Sequence, residues 1–211
     1  EGQSLCIDGV EHGERYRFTL RQGLPAQSGE VLWKDVEITQ YVRDRSPAVR
    51  FPGRSYVLPR AAGANLPVET VNLTDLDLVL SRVSDRNLIR AMQQEFFGRP
   101  LSFWQNEEFS DQMAEEVWTG TAQVESTLNR DMTTRLPMGD AIAGKPPGIY
   151  TLSARIPGGD PYDDPAAMQW FVLTDLGLSS LSGTDGLHVD VRGLAGTEPR
   201  AGVTVELVSR A

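Results

Sequence analysis

Cysteine and histidine are nearly absent from this sequence of 211 residues, which contains one Cys and two His. Disulfide frameworks and tetrahedral metal sites need several such side chains at close spacing, so the single Cys6 excludes both. His12 and His188 are far apart in the sequence, and neither has a neighbour that would form an acid–base pair. No G-x-S-x-G, phosphate-loop or G-x-G-x-x-G pattern occurs. We therefore predict no catalytic residues, no cofactor and no metal centre.

Long basic runs and long apolar runs are also missing. The formal net charge is -9, and the 20 Lys and Arg residues are scattered, whereas nucleic-acid binders cluster such residues to neutralise phosphates. No apolar run approaches the roughly 18 residues that a membrane-spanning helix needs. The chain opens without a signal peptide or an initiating Met. We expect no nucleic-acid partner, no direct membrane contact, and an excised piece of a longer secreted protein.

Among the features that are present, a periodicity of two residues dominates, and it is typical of half-buried β-strands. Tyr16, Phe18 and Leu20 alternate with polar residues. Pro and Gly residues separate the later candidates. The further predicted strands are residues 36–42, 55–58, 66–72, 76–83, 117–124, 132–136, 149–156, 168–174, 187–191 and 203–208. Many short strands with few helices predict an all-β fold, an antiparallel β-sandwich.

One stretch departs from this pattern and predicts a helical insertion at about residues 84–116. Ser84 or Asp85 can cap a helix that ends before Gly98. The apolar residues on one face of that helix are Leu88, Ile89, Met92 and Phe96. A second helix is predicted to begin near Ser110 and to carry Met113 and Ala114.

Aromatic residues crowd into the insertion, at Phe96, Phe97, Phe103 and Trp104. They either seal the insertion against its own sandwich, which we favour, or form a binding surface or a domain interface, because aromatic anchors dominate interface energetics.

An acidic cluster follows at Asp160, Asp163 and Asp164. Calcium binds such carboxylates, but their spacing matches no EF-hand loop and the flanking prolines favour a solvated turn. A calcium site and a turn both stay open, and the turn is favoured.

Three single residues have structural interpretations. Cys6 is expected to be a small buried core residue rather than a reactive thiol. The alternation around His188 predicts an outward position on a strand. Asn72 opens an Asn-Leu-Thr glycosylation sequon, a pattern that is frequent by chance.

Several short segments have a distinctive composition. They are Cys6-Ile7-Asp8-Gly9-Val10-Glu11-His12-Gly13, Arg21-Gln22-Gly23-Leu24-Pro25-Ala26, Tyr56-Val57-Leu58-Pro59-Arg60, Trp118-Thr119-Gly120, Pro147-Gly148-Ile149-Tyr150 and Gln169-Trp170-Phe171-Val172-Leu173-Thr174-Asp175-Leu176-Gly177-Leu178. Together they resemble the amino-terminal region of bacterial alpha-2-macroglobulins. The resemblance covers nearly the whole chain, and residues 175–178 are its most specific part.

The resemblance implies tandem macroglobulin-like β-sandwich modules. Residues 1–45 would supply the terminal strands of a preceding module, residues 46–175 a central sandwich, and residues 176–211 the first strands of the next module. The expected joint between the last two consists of Trp170, Phe171, Asp175, Leu176 and Leu178.

The resemblance also implies a function, that of a periplasmic or cell-envelope, broad-spectrum endopeptidase inhibitor, often membrane-anchored. Such proteins trap a protease after it cleaves a bait region, and many carry a thioester in a Cys-x-Glu-Gln motif. The residues after Cys6 do not match that motif. This chain would then be scaffold rather than enzyme, with target endopeptidases and neighbouring macroglobulin domains as partners. The alternatives are a β-sandwich adhesin, a carbohydrate-binding module, or an accessory domain of a large hydrolase.

Overall fold

The computed structural model describes residues 6–53, 55–60, 63–99, 101–160, 162–196 and 198–207, without the side chains of Ser55 and Phe103. Within these ranges the chain forms twelve strands and three helices. The strands are β1 (Arg15–Leu20), β2 (Val36–Tyr41), β3 (Ala48–Arg50), β4 (Ser55–Leu58), β5 (Asn65–Val71), β6 (Asp75–Val83), β7 (Ala114–Gln123), β8 (Asp131–Pro137), β9 (Gly148–Arg155), β10 (Ala166–Leu173), β11 (Leu176–Gly183) and β12 (Gly186–Gly193). The helices are α1 (Asp85–Gln93), α2 (Phe103–Gln112) and α3 (Gly139–Ile142).

The strands form a sandwich with a hairpin on either side of it in the sequence. One sheet has five strands in the order β4-β10-β9-β6-β7, and the other has three in the order β3-β5-β8. The pairs β1-β2 and β11-β12 are separate antiparallel hairpins. The predicted all-β sandwich with a short helical insertion is confirmed. One pairing differs from the expectation, because β4 lies parallel to β10; parallel neighbours need a long crossover connection, which the intervening strands supply.

The main core lies between the two sheets and follows the two-residue period of the strands. On β6, Leu76, Leu78 and Leu80 point inward and are at most 5% exposed. On the facing sheet, Leu66 and Val68 of β5 are fully buried. Burying one such side chain contributes about 1.5 to 3 kcal/mol. The alternation therefore fixes which face of each strand enters the core, and with it the register of the pairing.

The opposite face of the five-stranded sheet is covered by α1 and α2. Ser84 caps α1 as predicted, since its hydroxyl accepts a hydrogen bond from the backbone N–H of Asn87 at 3.4 Å. The predicted apolar face is partly wrong, because Ile89 is 42% exposed while Ala91 is fully buried. The helix packs against the sheet at Ala91, so Ile89, two positions away, lies off the buried face.

Helix α2 corrects the predicted second helix. It begins at Phe103 rather than near Ser110, and Met113 ends it. Its start is a capping box, in which the Ser102 hydroxyl accepts from the Gln105 backbone N–H and the Gln105 side chain accepts from the Ser102 N–H at 3.0 Å. The Ser-x-x-Gln spacing is a recognisable start signal, and the sequence-based prediction missed it.

The carboxy-terminal hairpin brings a second correction. Strand β12 pairs with β11, which the sequence did not predict as a strand, and residues 203–207 of the predicted last strand belong to no sheet; residue 208 lies outside the described residues. Ser and Gly residues weaken the strand signal of β11. The alternation of apolar and polar residues in 203–207 shows which face a strand there would bury. A strand also needs a neighbour to pair with, and the alternation does not predict one.

A second core lies between the helices and the five-stranded sheet, and Trp170 is its largest buried side chain. Trp170 is 1% exposed. Its ring centroid lies 5.0 Å from that of Phe97 and 5.1 Å from that of Phe109. Phe96 is also buried here, which agrees with the favoured packing interpretation of the aromatic group. Trp104 does not follow that interpretation, because it is 68% exposed.

We predict that Trp170→Ala lowers the free energy of unfolding by about 3 to 5 kcal/mol, because it leaves a cavity under both helices. Chemical denaturation measures this loss. Trp104→Ala is the matched control in the same insertion, because Trp104 is 68% exposed and its ring contacts that of Tyr162 with centroids 5.8 Å apart, and it should cost less than about 1.5 kcal/mol. Equal losses for the two variants would contradict the second core.

Candidate functional site at the joints of the sandwich

Trp170 and Phe171 lie on opposite faces of β10. Trp170 points into the helical core, while Phe171 stacks on Tyr150 in the sandwich core, with ring centroids 5.7 Å apart and planes at 16°. Both are 1% exposed. They anchor the strand that leads to the joint from inside the central sandwich. Their predicted part in the joint itself stays a prediction.

Asp175 lies between β10 and β11 and ties three segments together. Its carboxylate accepts hydrogen bonds from the backbone N–H of Arg60 at 3.0 Å and from Arg60 Nε at 2.7 Å. Its backbone carbonyl accepts from the N–H of Leu194, just after β12, at 2.8 Å. The joint is thereby fixed to the end of β4 on one side and to the terminal hairpin on the other.

The Arg60 guanidinium and its backbone N–H both bind the charged form of the Asp175 carboxyl, and they hold its pKa below the ordinary range. Sequence reasoning did not single out Arg60 as a partner, since 115 positions separate the two residues. The only sequence signal was that both lie in the segments that carry the family resemblance.

An open groove of about 960 Å³ borders this pair. Arg60 and Asp175 form part of its wall, and residues 142–147, at and after the end of α3, form much of the rest. Lys145 from that segment donates to the Val117 carbonyl at 2.7 Å, next to the irregularity where β6 and β7 shift register. A charged pair and a proline-containing loop thus line the same groove.

Leu176 and Leu178 begin one strand of an amphipathic hairpin. The register pairs Leu178 with Val191 and Leu176 with Gly193, so these side chains share one face. The other apolar residues of that face are Leu187 and Val189. The opposite face carries the polar residues His188, Asp190 and Arg192. Leu178 is 58% exposed and Leu187 is 56% exposed, so much of the apolar face is uncovered.

The hairpin β1-β2 repeats this arrangement before the sandwich. Tyr16, Phe18 and Leu20 share a face with Ile38 and Val36 across the strand pair. The other face carries mainly charged and hydroxyl residues: Arg15, Arg17, Thr19, Glu37, Thr39 and Tyr41. Ile38 is 45% exposed and the others are half-buried. Both hairpins therefore present an incompletely covered apolar sheet face.

The remaining sequence candidates have local roles. His12 Nδ1 contacts the Arg43 carbonyl at 2.8 Å, and His188 Nε2 contacts the Asp185 carboxylate at 2.9 Å from an exposed strand position, where the alternation placed it. Cys6 is exposed, so the prediction of a buried core residue is wrong; it lies nine positions before β1, outside either core.

The acidic turn binds its own backbone. Asp164 accepts from the Asp160 N–H at 2.6 Å, and Asp160 accepts from the Tyr162 N–H at 2.8 Å. Across the part of the chain that the structure describes, no group of three or more His, Cys, Asp or Glu side chains is arranged to hold a metal ion. No helix within the same ranges is long and apolar enough to cross a membrane.

A sandwich with its own core, a helical cover on one sheet and a hairpin on each side of it in the sequence define a class of protein, the modular β-sandwich.

Within that class, the chain belongs to the bacterial alpha-2-macroglobulin family. The family model of the bacterial alpha-2-macroglobulin MG2 domain matches residues 50–171, more than half of the chain. This membership favours the alpha-2-macroglobulin interpretation over the adhesin, carbohydrate-binding and hydrolase alternatives.

Individual relatives agree with the family assignment. The alpha-2-macroglobulin of Escherichia coli K12 is 28% identical over 191 residues, which are 90% of this chain and 11% of the relative. A crystal structure of the E. coli protein spanning domains MG0-NIE-MG1 matches 90% of this chain and 60% of its own, with 25% identity and a TM-score of 0.56. A Salmonella alpha-2-macroglobulin structure shares the fold, at 22% identity over 88% of this chain and 10% of its own, with a TM-score of 0.63. The chain thus spans only about a tenth of the E. coli relative.

We predict that acid weakens the joint through Asp175. A carboxyl whose pKa is lowered by folding stabilises the folded state above its unfolded pKa, and this contribution is lost as the pH falls through the folded pKa. Asp175→Asn should therefore reduce the loss of stability between neutral and acid pH, as measured by urea unfolding at a series of pH values.

Arg60→Gln is the matched partner variant. It should likewise reduce the loss of stability between neutral and acid pH, because the Arg60–Asp175 pair lowers the pKa of Asp175. The double variant should add little to either single change, because the two residues act on one interaction. Additive effects would show that Arg60 is not the cause.

Proposed function

We propose that this chain is a scaffold segment of an alpha-2-macroglobulin-like, broad-spectrum endopeptidase inhibitor that traps proteases after cleavage of a bait region. In this proposal the segment performs no chemistry. It holds neighbouring macroglobulin modules at defined positions, and the target endopeptidases are partners of the whole parent protein. Family membership and the modular architecture support the proposal.

The observation that carries it is the pair of incompletely covered apolar hairpin faces. A two-stranded hairpin is at best marginally stable in water alone, and a sheet with one apolar face needs a second layer to cover it. The central sandwich already has both of its cores filled. We therefore assign the covering layers to the neighbouring modules of the parent chain, one over Phe18 and Ile38 and the other over Leu178 and Val191.

The polar groups that could carry chemistry serve structure instead, and this supports a non-enzymatic role. His12 contacts the Arg43 carbonyl, and His188 contacts the Asp185 carboxylate. Asp175 is committed to Arg60. The periplasm or cell envelope is the compartment we propose, by family resemblance; cell fractionation with an antibody against the chain checks it.

The test uses two leucines on opposite faces of β11 in the parent inhibitor. Leu178 lies on the apolar face, and Leu181, which is 71% exposed, lies on the polar face. We predict that Leu178→Asp in the parent lowers stability by about 3 kcal/mol or more and impairs protease inhibition, because it buries an unpaired charge against the next module. Leu181→Asp should stay within about 0.5 kcal/mol of the parent.

Thermal melts and an endopeptidase inhibition assay on the parent measure both effects, and the 211-residue chain provides the reference. In that chain neither substitution should matter much, since both positions are exposed there. If Leu178→Asp leaves the melting and the inhibition of the parent unchanged, the next module does not cover this face. If the parent inhibits no endopeptidase before any substitution, the inhibitor assignment is wrong.

A further inference from the structure

Two asparagines with left-handed backbone face each other beside the segment that joins β2 to β3. Asn72 follows β5 with φ 52°, and Asn129 precedes β8 with φ 62°. The Asn129 N–H donates to Asn72 Oδ1 at 2.6 Å, and Asn72 Nδ2 donates to Asn129 Oδ1 at 3.3 Å. Asn enters this backbone region more readily than other non-glycine residues. The pair thus joins two loops at one end of the β5-β8 strand pair, where Val71 is opposite Asp131.

The asparagine pair binds both backbone polar groups of Arg45 in the joining segment. Asn72 Nδ2 donates to the Arg45 carbonyl at 2.7 Å, and the Arg45 N–H donates to Asn129 Oδ1 at 2.8 Å. Asn129 Nδ2 also donates to the Asp44 carboxylate at 2.8 Å. A residue held at its N–H and at its carbonyl has its chain direction fixed, and not only its position.

The Arg45 side chain adds a third attachment. Its guanidinium donates to both carboxylate oxygens of Asp131, at 2.7 and 3.2 Å, and such bidentate pairs are geometrically specific. The hairpin itself closes on the same place, because Gly13, just before β1, donates to the Val42 carbonyl at 2.9 Å. A Cβ at Gly13 would lie 2.8 Å from Asp44 Oδ1 and 3.0 Å from Asn129 Nδ2.

We propose that Asn72 and Asn129 are positioning residues that fix the direction in which the β1-β2 hairpin leaves the central sandwich. Their amides form a latch on residues 44–45. The glycosylation sequon at Asn72 is therefore used structurally, since Nδ2, the atom that a glycan would occupy, is committed to the Arg45 carbonyl. The latch goes beyond the proposed function, because its action is independent of whether the parent traps proteases.

The experiment removes the side-chain bonds while keeping the backbone. Asn72→Gly and Asn129→Gly are made in the full 211-residue chain, since Gly adopts positive φ without strain. Glu95→Gly is the matched control, because Glu95 has φ 58° at the end of α1, away from the latch. Spin labels on Thr39→Cys in the hairpin and Thr121→Cys in β7, in a Cys6→Ser background, report the hairpin direction by electron–electron distance measurement.

We expect each Asn variant to broaden the distance distribution at least about twofold and to speed hydrogen exchange of the Arg45 N–H at least about tenfold. Asn129→Gly removes the acceptor of that N–H, and Asn72→Gly removes the side chain that holds the Arg45 carbonyl. Glu95→Gly should change neither. Distributions that stay as narrow as in the unchanged protein for both Asn variants would overturn the proposal, and so would equal broadening in Glu95→Gly.

A charge exchange tests the latch if the glycine variants melt too early to interpret. Asn129→Asp sets a carboxylate against Asp44 and should release the hairpin while the melt of the sandwich persists. Adding Asp44→Asn returns a donor and an acceptor to this contact, so the double variant should regain the narrow distribution and the slow exchange of Arg45. A double variant as broad as Asn129→Asp alone overturns the latch.

Discussion

The interior strand β10, second in the five-stranded sheet, is the constraint on which the rest of the structure depends, because it has buried side chains on both faces. Trp170 and Phe171 are neighbours in sequence, yet each is the hub of a different core. An interior strand of an antiparallel sandwich needs only one apolar face; the second one here obliges the chain to supply a cover, and the insertion of α1 and α2 supplies it. Because the strand is packed on both faces, Asp175, two residues after its end, leaves the sandwich at a defined point.

The two-residue period made most of this fold predictable, because the alternation of apolar and polar residues in each strand shows which face points inward. Strand β4 was located at its observed bounds, and the cap at Ser84 was found because capping chemistry is local. The prediction failed where the determining contact is remote. The buried face of α1 depends on its packing against the sheet at Ala91, and β11 exists because β12 pairs with it, although Ser and Gly are weak strand formers.

The candidate joint was predictable only in part, for the same reason. Leu176 and Leu178 were recognisable in the sequence as alternating apolar residues. The clamp between Arg60 and Asp175, and the one between Arg45 and Asp131, join residues separated by 115 and 86 positions, and no periodicity encodes such a pair. Asn72 shows how a local pattern can mislead, because its sequon describes three residues while its side chain is committed to a residue 27 positions away.

At the two candidate joints, the apolar hairpin faces and the hydrogen-bonded polar pairs have different roles. An apolar hairpin face attracts any complementary layer, and because the hydrophobic effect has no direction, it does not fix an angle. Hydrogen bonds between charged and amide groups contribute little net free energy at exposed positions, but their geometry is narrow. In each hairpin the apolar face therefore provides the binding to a neighbouring layer. The hydrogen-bonded pair beside it, Arg60–Asp175 or Arg45–Asp131, provides the orientation. Both hairpins combine the two, which is the arrangement that the proposed scaffold role requires.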